Sequence, residues 1–107
     1  MLLPNRVLVV DDEARIRRIL ERMLSEEGYE VSLAETGEQA LDLSSQCHPD
    51  VVVMDQNLPG MSGQEATEQL VERYTGVKVI VVTAFGAIDR AVDAMRRGAY
   101  DYLTKPF

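Results

Sequence analysis

Four apolar, β-branched runs divide the chain: Val7-Leu8-Val9-Val10, Val51-Val52-Val53-Met54, Val77 to Val82, and a shorter one at Tyr100-Asp101-Tyr102-Leu103. A weaker candidate is Glu30-Val31-Ser32-Leu33-Ala34. Continuous rather than alternating apolar runs predict strands buried on both faces of a parallel sheet. Between them the period changes. Ile16, Ile19, Leu20, Met23 and Leu24 fall at i, i+3, i+4, i+7 and i+8, which makes one stripe on a helix. Gly28 is placed to end it.

The next two helices announce themselves by their first turns. Thr36-Gly37-Glu38-Gln39 and Ser62-Gly63-Gln64-Glu65 read as capping boxes, in which a hydroxyl and a carboxylate or amide satisfy the first free amides. They open helices through about Cys47 and about Tyr74. Ile88, Ala91, Val92 and Met95 form a fourth stripe, closed by Gly98. Its start, Phe85-Gly86-Ala87, lacks Ser, Thr, Asp or Asn at the cap position, an omission that costs roughly 0.5–2 kcal/mol. The segment Ala84 to Ile88 is therefore expected to be the loosest ordered part of the chain.

The resulting order, β-α-β-α-β-α-β-α-β, implies an α/β fold with a doubly wound, five-stranded parallel sheet and right-handed crossovers. The expected strand order is 2-1-3-4-5, the flavodoxin-like arrangement, with ligands at the carboxyl ends of strands 1 and 3, where the order reverses. In this topology the first helix lies on one face and the other three on the opposite face. One helix cannot cover strands 3, 4 and 5. A fifth helix beyond Phe107, or another chain, is expected to cover them. Residues 1–107 are thus expected to be one domain truncated before its last helix, and homodimerisation through the uncovered face is expected.

Composition narrows the function. With 46% apolar and 27% charged residues the chain is globular rather than disordered. A net charge of −7 argues against direct nucleic-acid binding, which needs basic patches. Arg15, Arg17, Arg18 and Arg22 cluster, but they share their segment with Glu13, Glu21, Glu26 and Glu27 and are expected on a solvated helix face. Cys47 is the sole cysteine, so no intrachain disulfide forms, which fits a cytoplasmic location. Met1-Leu2-Leu3-Pro4 is too short for a signal-peptide core, and no apolar run reaches the ~20 residues that span a membrane.

The chemistry gathers at strand ends. Strand 1 runs into Asp11-Asp12 and strand 3 into Asp55, and the fold brings these ends together. Two carboxylates ~4 Å apart repel by about 4 kcal/mol at an effective dielectric near 20. Three of them call for a shared proton or a cation, and a few carboxylates with water and phosphate are how Mg²⁺ is usually held. One aspartate would suffice to cap the first helix, so capping alone leaves two unexplained. Thr83 ends strand 4 and Lys105 follows strand 5, each read alone as an ordinary strand-end or solvated residue. Near the carboxylates, an ammonium at Lys105 could pair with Asp55 and later with a phosphoryl oxygen, and the Thr83 hydroxyl could serve the same oxygens. The loop Leu58-Pro59-Gly60-Met61-Ser62-Gly63 is rich in turn residues and could bend a backbone carbonyl near Asn57 toward a metal. His48 and Cys47 lack further ligands and are read as structural. Met23, Met54, Met61 and Met95 are assigned mostly to core-facing positions, and Tyr29 and Tyr74 to packing.

Taken together, Val9-Val10-Asp11-Asp12-Glu13, Asp55 to Gly63, Val82-Thr83-Ala84 and Lys105-Pro106-Phe107 resemble the receiver domain of bacterial two-component response regulators over the whole chain. The resemblance implies that Asp55 is the phosphoacceptor. It implies that Asp12, Asp55 and the main-chain carbonyl of Asn57 ligate Mg²⁺, and that Asp11 acts mainly through a metal-bound water. Thr83 and Lys105 would hold phosphoryl oxygens, Tyr102 would change rotamer with state, and the Lys105-Pro106 bond would be cis. The donor would be a phosphohistidine on a sensor histidine kinase. The stretch Ala91 to Phe107 is similar to nitrogen-regulator-type activators, which work with the alternative sigma factor 54 and carry an ATPase and a DNA-binding domain after the receiver. By this resemblance the chain would be a transcriptional switch: Thr83 would move toward the phosphate, Tyr102 would turn inward, and a partner would read the changed surface of helix 4 and strand 5. It would not be a turnover enzyme. An aspartate-dependent phosphatase usually places its nucleophile in Asp-x-Asp at the end of strand 1, a form that Asp11-Asp12-Glu13 lacks. A degenerate receiver acting only as an interaction surface is argued against by the complete site residues. A flavin or dinucleotide domain lacks its glycine-rich phosphate loop here.

Overall fold

A computed structural model describes residues 5–83 and 88–104. Nine elements alternate along it: β1 (Arg6–Val10), α1 (Ala14–Glu26), β2 (Glu30–Ala34), α2 (Gly37–Cys47), β3 (Val51–Asp55), α3 (Gly63–Arg73), β4 (Lys78–Thr83), α4 (Ile88–Arg96) and β5 (Asp101–Thr104). The strands pair in parallel in the order β2-β1-β3-β4-β5, as expected from the alternation. The expected looseness of Ala84 to Ile88 concerns a segment that lies, up to the start of α4, outside the described residues.

The helix boundaries follow the capping chemistry. The Thr36 hydroxyl accepts the Gln39 amide at 3.1 Å, and the Gln39 side chain accepts the Glu35 amide at 2.7 Å. The Ser62 hydroxyl accepts the Glu65 amide at 3.2 Å. At the end of α1, Gly28 takes φ +94°, a left-handed conformation open to glycine, while the amides of Gly28 and Tyr29 return to Ser25 and Leu24.

The two faces of the sheet are covered unequally. Leu8, Val10, Val52, Met54, Val79 and Val81 join Ala40, Ala66, Leu70 and Ala94 from α2, α3 and α4 in one buried core. On the other face, Leu20 and Leu24 of α1 flank an apolar groove of about 430 Å³ floored by Val7, Val51, Val53 and Ile80, with Leu103 of β5 at its side. Leu103 keeps 50% of its surface exposed. Burial on both faces thus holds for most of β1 but not for β3, β4 and β5, because among the described residues α1 reaches only part of this side.

Three residue-level expectations change. Met23 and Met95 are 57% and 42% exposed rather than core-facing; Met54 is buried and Met61 is packed against the core. Among the α4 residues whose side chains are described, Ala94 is buried, and Val92 and Met95 of the apolar stripe are left at the surface. A small residue lets that helix approach closely, and its larger neighbours on the wheel are turned away. Arg17, expected in solvent with the rest of its cluster, is turned inward with 14% of its side chain exposed.

Candidate functional site

The site grows out of the sheet register. Val10 pairs with Met54, so the residues that follow, Asp11 and Asp55, emerge side by side from β1 and β3. The Asp11 amide continues the ladder to the Ala34 carbonyl at 3.1 Å, and the Gln56 amide does the same to Val82 at 3.0 Å. Both carboxylates are therefore carried on main chain still locked into the sheet. Asp11 and Asp55 are 2% and 5% exposed, and Asp12 faces solvent. One carboxylate oxygen from each of the three lies within 4.8 Å of the others.

Capping explains only part of this group. An oxygen of Asp11 accepts the Glu13 amide at 2.9 Å, so Asp11 does shape the turn into α1. The residue at the N-cap itself is Glu13, whose side chain does not cap the helix. Asp55 accepts the Asn57 amide at 3.3 Å, which folds the chain tightly after β3 and sets Asn57 beside the cluster. Oxygen donors of this kind, two of them buried and a third at the solvent edge, suit a hard cation that keeps some of its waters.

Thr83 is buried one residue beyond Val82, the ladder partner of Asp55. Its hydroxyl donates to the Leu103 carbonyl on β5 at 3.4 Å, a long bond. Tyr102 pairs with Val81 and is 41% exposed. Lys105 and the Lys105-Pro106 bond lie outside the described residues, as does Phe85. Thr104, which precedes Lys105, is the ladder partner of Thr83.

Two supports of the site were not read as such in the sequence. A Cβ on Gly63 would collide with the Asp55 carbonyl oxygen and lie 2.8 Å from the Gln56 Cα, so α3 begins in direct contact with the end of β3. The signal was available: glycine is a poor helix former, and its place in a first turn marks a close approach. Across the loop, Glu38 accepts the Met61 amide at 3.4 Å, and Gly60 beside it takes φ +73°. The loop after Asp55 is thereby tied to the start of α2.

Residues 7–107 match the family model described as the response regulator receiver domain. The chain belongs to this family. The receiver domain is 43% identical over 103 residues to the regulatory protein AtoC of Escherichia coli and 41% identical over 101 residues to the DNA-binding transcriptional regulator NtrC of the same organism. These alignments cover 96% and 94% of the receiver domain but only 22% of each relative. The nitrogen-regulator-type resemblance of Ala91 to Phe107 thus extends along the chain. Among solved structures, a response regulator protein from Burkholderia pseudomallei, described with a phosphorylated aspartic acid, calcium ion and citrate, superposes with a TM-score of 0.89 at 30% identity. That superposition covers 96% of this chain and 61% of the other. Among the described residues of the receiver domain, no helix is long and apolar enough to cross a membrane.

Proposed function

We propose that this receiver domain is a phosphorylation-dependent switch in which Asp55 accepts a phosphoryl group from a sensor histidine kinase. The reading rests above all on the three carboxylates of Asp11, Asp12 and Asp55, whose oxygens meet within 4.8 Å at the point where strand order reverses. Ligands bind at such points in open α/β sheets.

In this reading Asp12, Asp55 and the Asn57 carbonyl would hold Mg²⁺, and Asp11 would act through a water. When bound, Mg²⁺ supplies charge neutralisation for the phosphoryl oxygens. An Asp55 carboxylate oxygen forms a bond to phosphorus as the phosphorus–nitrogen bond of the donor phosphohistidine breaks. The electron pair stays on the imidazole nitrogen, which takes a proton. Lys105 and the Thr83 hydroxyl hold the transferred oxygens. The new group brings roughly −1.5 to −2 charge and fresh acceptors.

Thr83 then exchanges its bond to the Leu103 carbonyl for one to the phosphate, and Tyr102 leaves its exposed position. The surface of α4 and β5 changes, and partners read it. A two-state element separated by a few kcal/mol is enough for this. Residues 1–107 act as the receiver of a longer cytoplasmic transcription regulator with ATPase and DNA-binding domains. The domain promotes its own phosphotransfer and dephosphorylation and is not a turnover enzyme.

Intact-mass measurement after incubation with acetyl phosphate tests the reading. One added phosphoryl group, dependent on Mg²⁺ and lost on chelation before labelling, is the expected result. No addition at any Mg²⁺ concentration, or steady release of phosphate from unrelated phosphomonoesters, would contradict it.

A further inference from the structure

Four arginines lie along α1, and three of them, Arg15, Arg18 and Arg22, are exposed. Arg17 behaves differently. Its Nη1 donates to the main-chain oxygen of Asp11 at 2.7 Å, and its Nη2 donates to Glu35 at 3.3 Å. Asp11 is itself bonded through its amide to Ala34, the last residue of β2. One guanidinium therefore ties together α1, the carboxyl end of β1 and the residue that follows β2.

The geometry is informative because simple electrostatics oppose it. A fixed positive charge beside a cation site weakens cation binding by repulsion. Exposed positions on the same helix carry arginine without that consequence. What Arg17 provides in return is rigidity. It grips the peptide unit between Asp11 and Asp12, so the two carboxylates leave the β1 end in fixed directions. A planar, forked donor can hold a carbonyl and a carboxylate at once, which an ammonium on a flexible stem does poorly.

We propose that Arg17 is a positioning residue for the Mg²⁺ site: by clamping the Asp11 carbonyl to Glu35 it sets the Asp11 and Asp12 carboxylates for the cation without touching it. The proposal rests on the reading of that site as a Mg²⁺ site. Residues that orient metal ligands in this way typically change metal affinity by about 10-fold or more when replaced.

Isothermal titration of Mg²⁺ into the full chain tests it, with wild type beside Arg17→Gln, Arg17→Lys and the exposed control Arg18→Gln. Arg17→Gln is expected to bind Mg²⁺ about 10-fold more weakly, and Arg18→Gln to bind at least as well as wild type. Arg17→Lys keeps the charge and loses the fork, so weaker binding there reports geometry alone and serves if Arg17→Gln does not fold. A merely structural role would lower the melting temperature and leave the affinity of the folded protein unchanged. Affinity equal to wild type in Arg17→Lys, or tighter binding in Arg17→Gln, overturns the proposal while the site reading stands. Absence of Mg²⁺ binding by wild type overturns both.

Discussion

Gly63, the first residue of α3, lies so close to the Asp55 carbonyl oxygen that a single added carbon would displace one of them. The helix start and the end of β3 form one rigid corner, bridged also by the Gly63 amide to the Gln56 carbonyl at 3.2 Å. Gly63→Ala is therefore expected to cost about 1–3 kcal/mol, because the obstacle is backbone and cannot rotate away. It should also slow labelling of Asp55 by acetyl phosphate. Chemical denaturation and the labelling rate, measured together, check this; an unchanged rate would show that the corner does not align Asp55.

The neighbouring residue offers a contrast. The Ser62 hydroxyl caps α3 through the Glu65 amide but makes no contact that fixes Asp55. Ser62→Ala should cost about 1 kcal/mol in stability. Its labelling rate, measured well below the melting temperature, should stay at the wild-type value.

The Thr83 hydroxyl makes a long bond to the Leu103 carbonyl, so losing it should alter resting stability little. Thr83→Ala is expected to accept phosphate and yet lose the conformational response. Backbone amide NMR before and after labelling distinguishes the two steps. Shifts in α4 and β5 equal to those of wild type would remove Thr83 from the switch.

Packing makes its own forecast. Leu70 is fully buried beneath α3, and Leu70→Ala should cost about 2–5 kcal/mol. Met95 is 42% exposed on α4, and Met95→Ala should cost far less than Leu70→Ala, within about 1 kcal/mol of wild type. Urea unfolding of the two variants compares them directly.

The elements and their order were legible because each carries a local signature: β-branched runs for strands, hydroxyl caps for α2 and α3, and glycines after α1 and α4. The convergence of Asp11, Asp12 and Asp55 followed from the expected 2-1-3-4-5 strand order, which sets the ends of β1 and β3 side by side. What sequence period did not reveal was how closely elements approach. Of the α4 stripe, Val92 and Met95 are exposed while Ala94 between them is buried, because a small residue lets the helix approach the sheet. Arg17 was read as solvated from its charged neighbours. Yet it stands three and seven residues before Leu20 and Leu24, on the half-buried side of the helix, where an arginine has to find acceptors. Gly63 was read for the cap beside it rather than for the space it leaves.

The most direct measurement asks which atom carries the phosphate. Borohydride reduces an aspartyl phosphate to the corresponding alcohol, so peptide mass mapping of the chain after acetyl phosphate and borohydride locates the acceptor. Conversion at Asp55, dependent on Mg²⁺ and abolished in Asp55→Asn, is the predicted result. Conversion at Asp11 or Asp12 instead, or equal labelling of Asp55→Asn, would contradict the account.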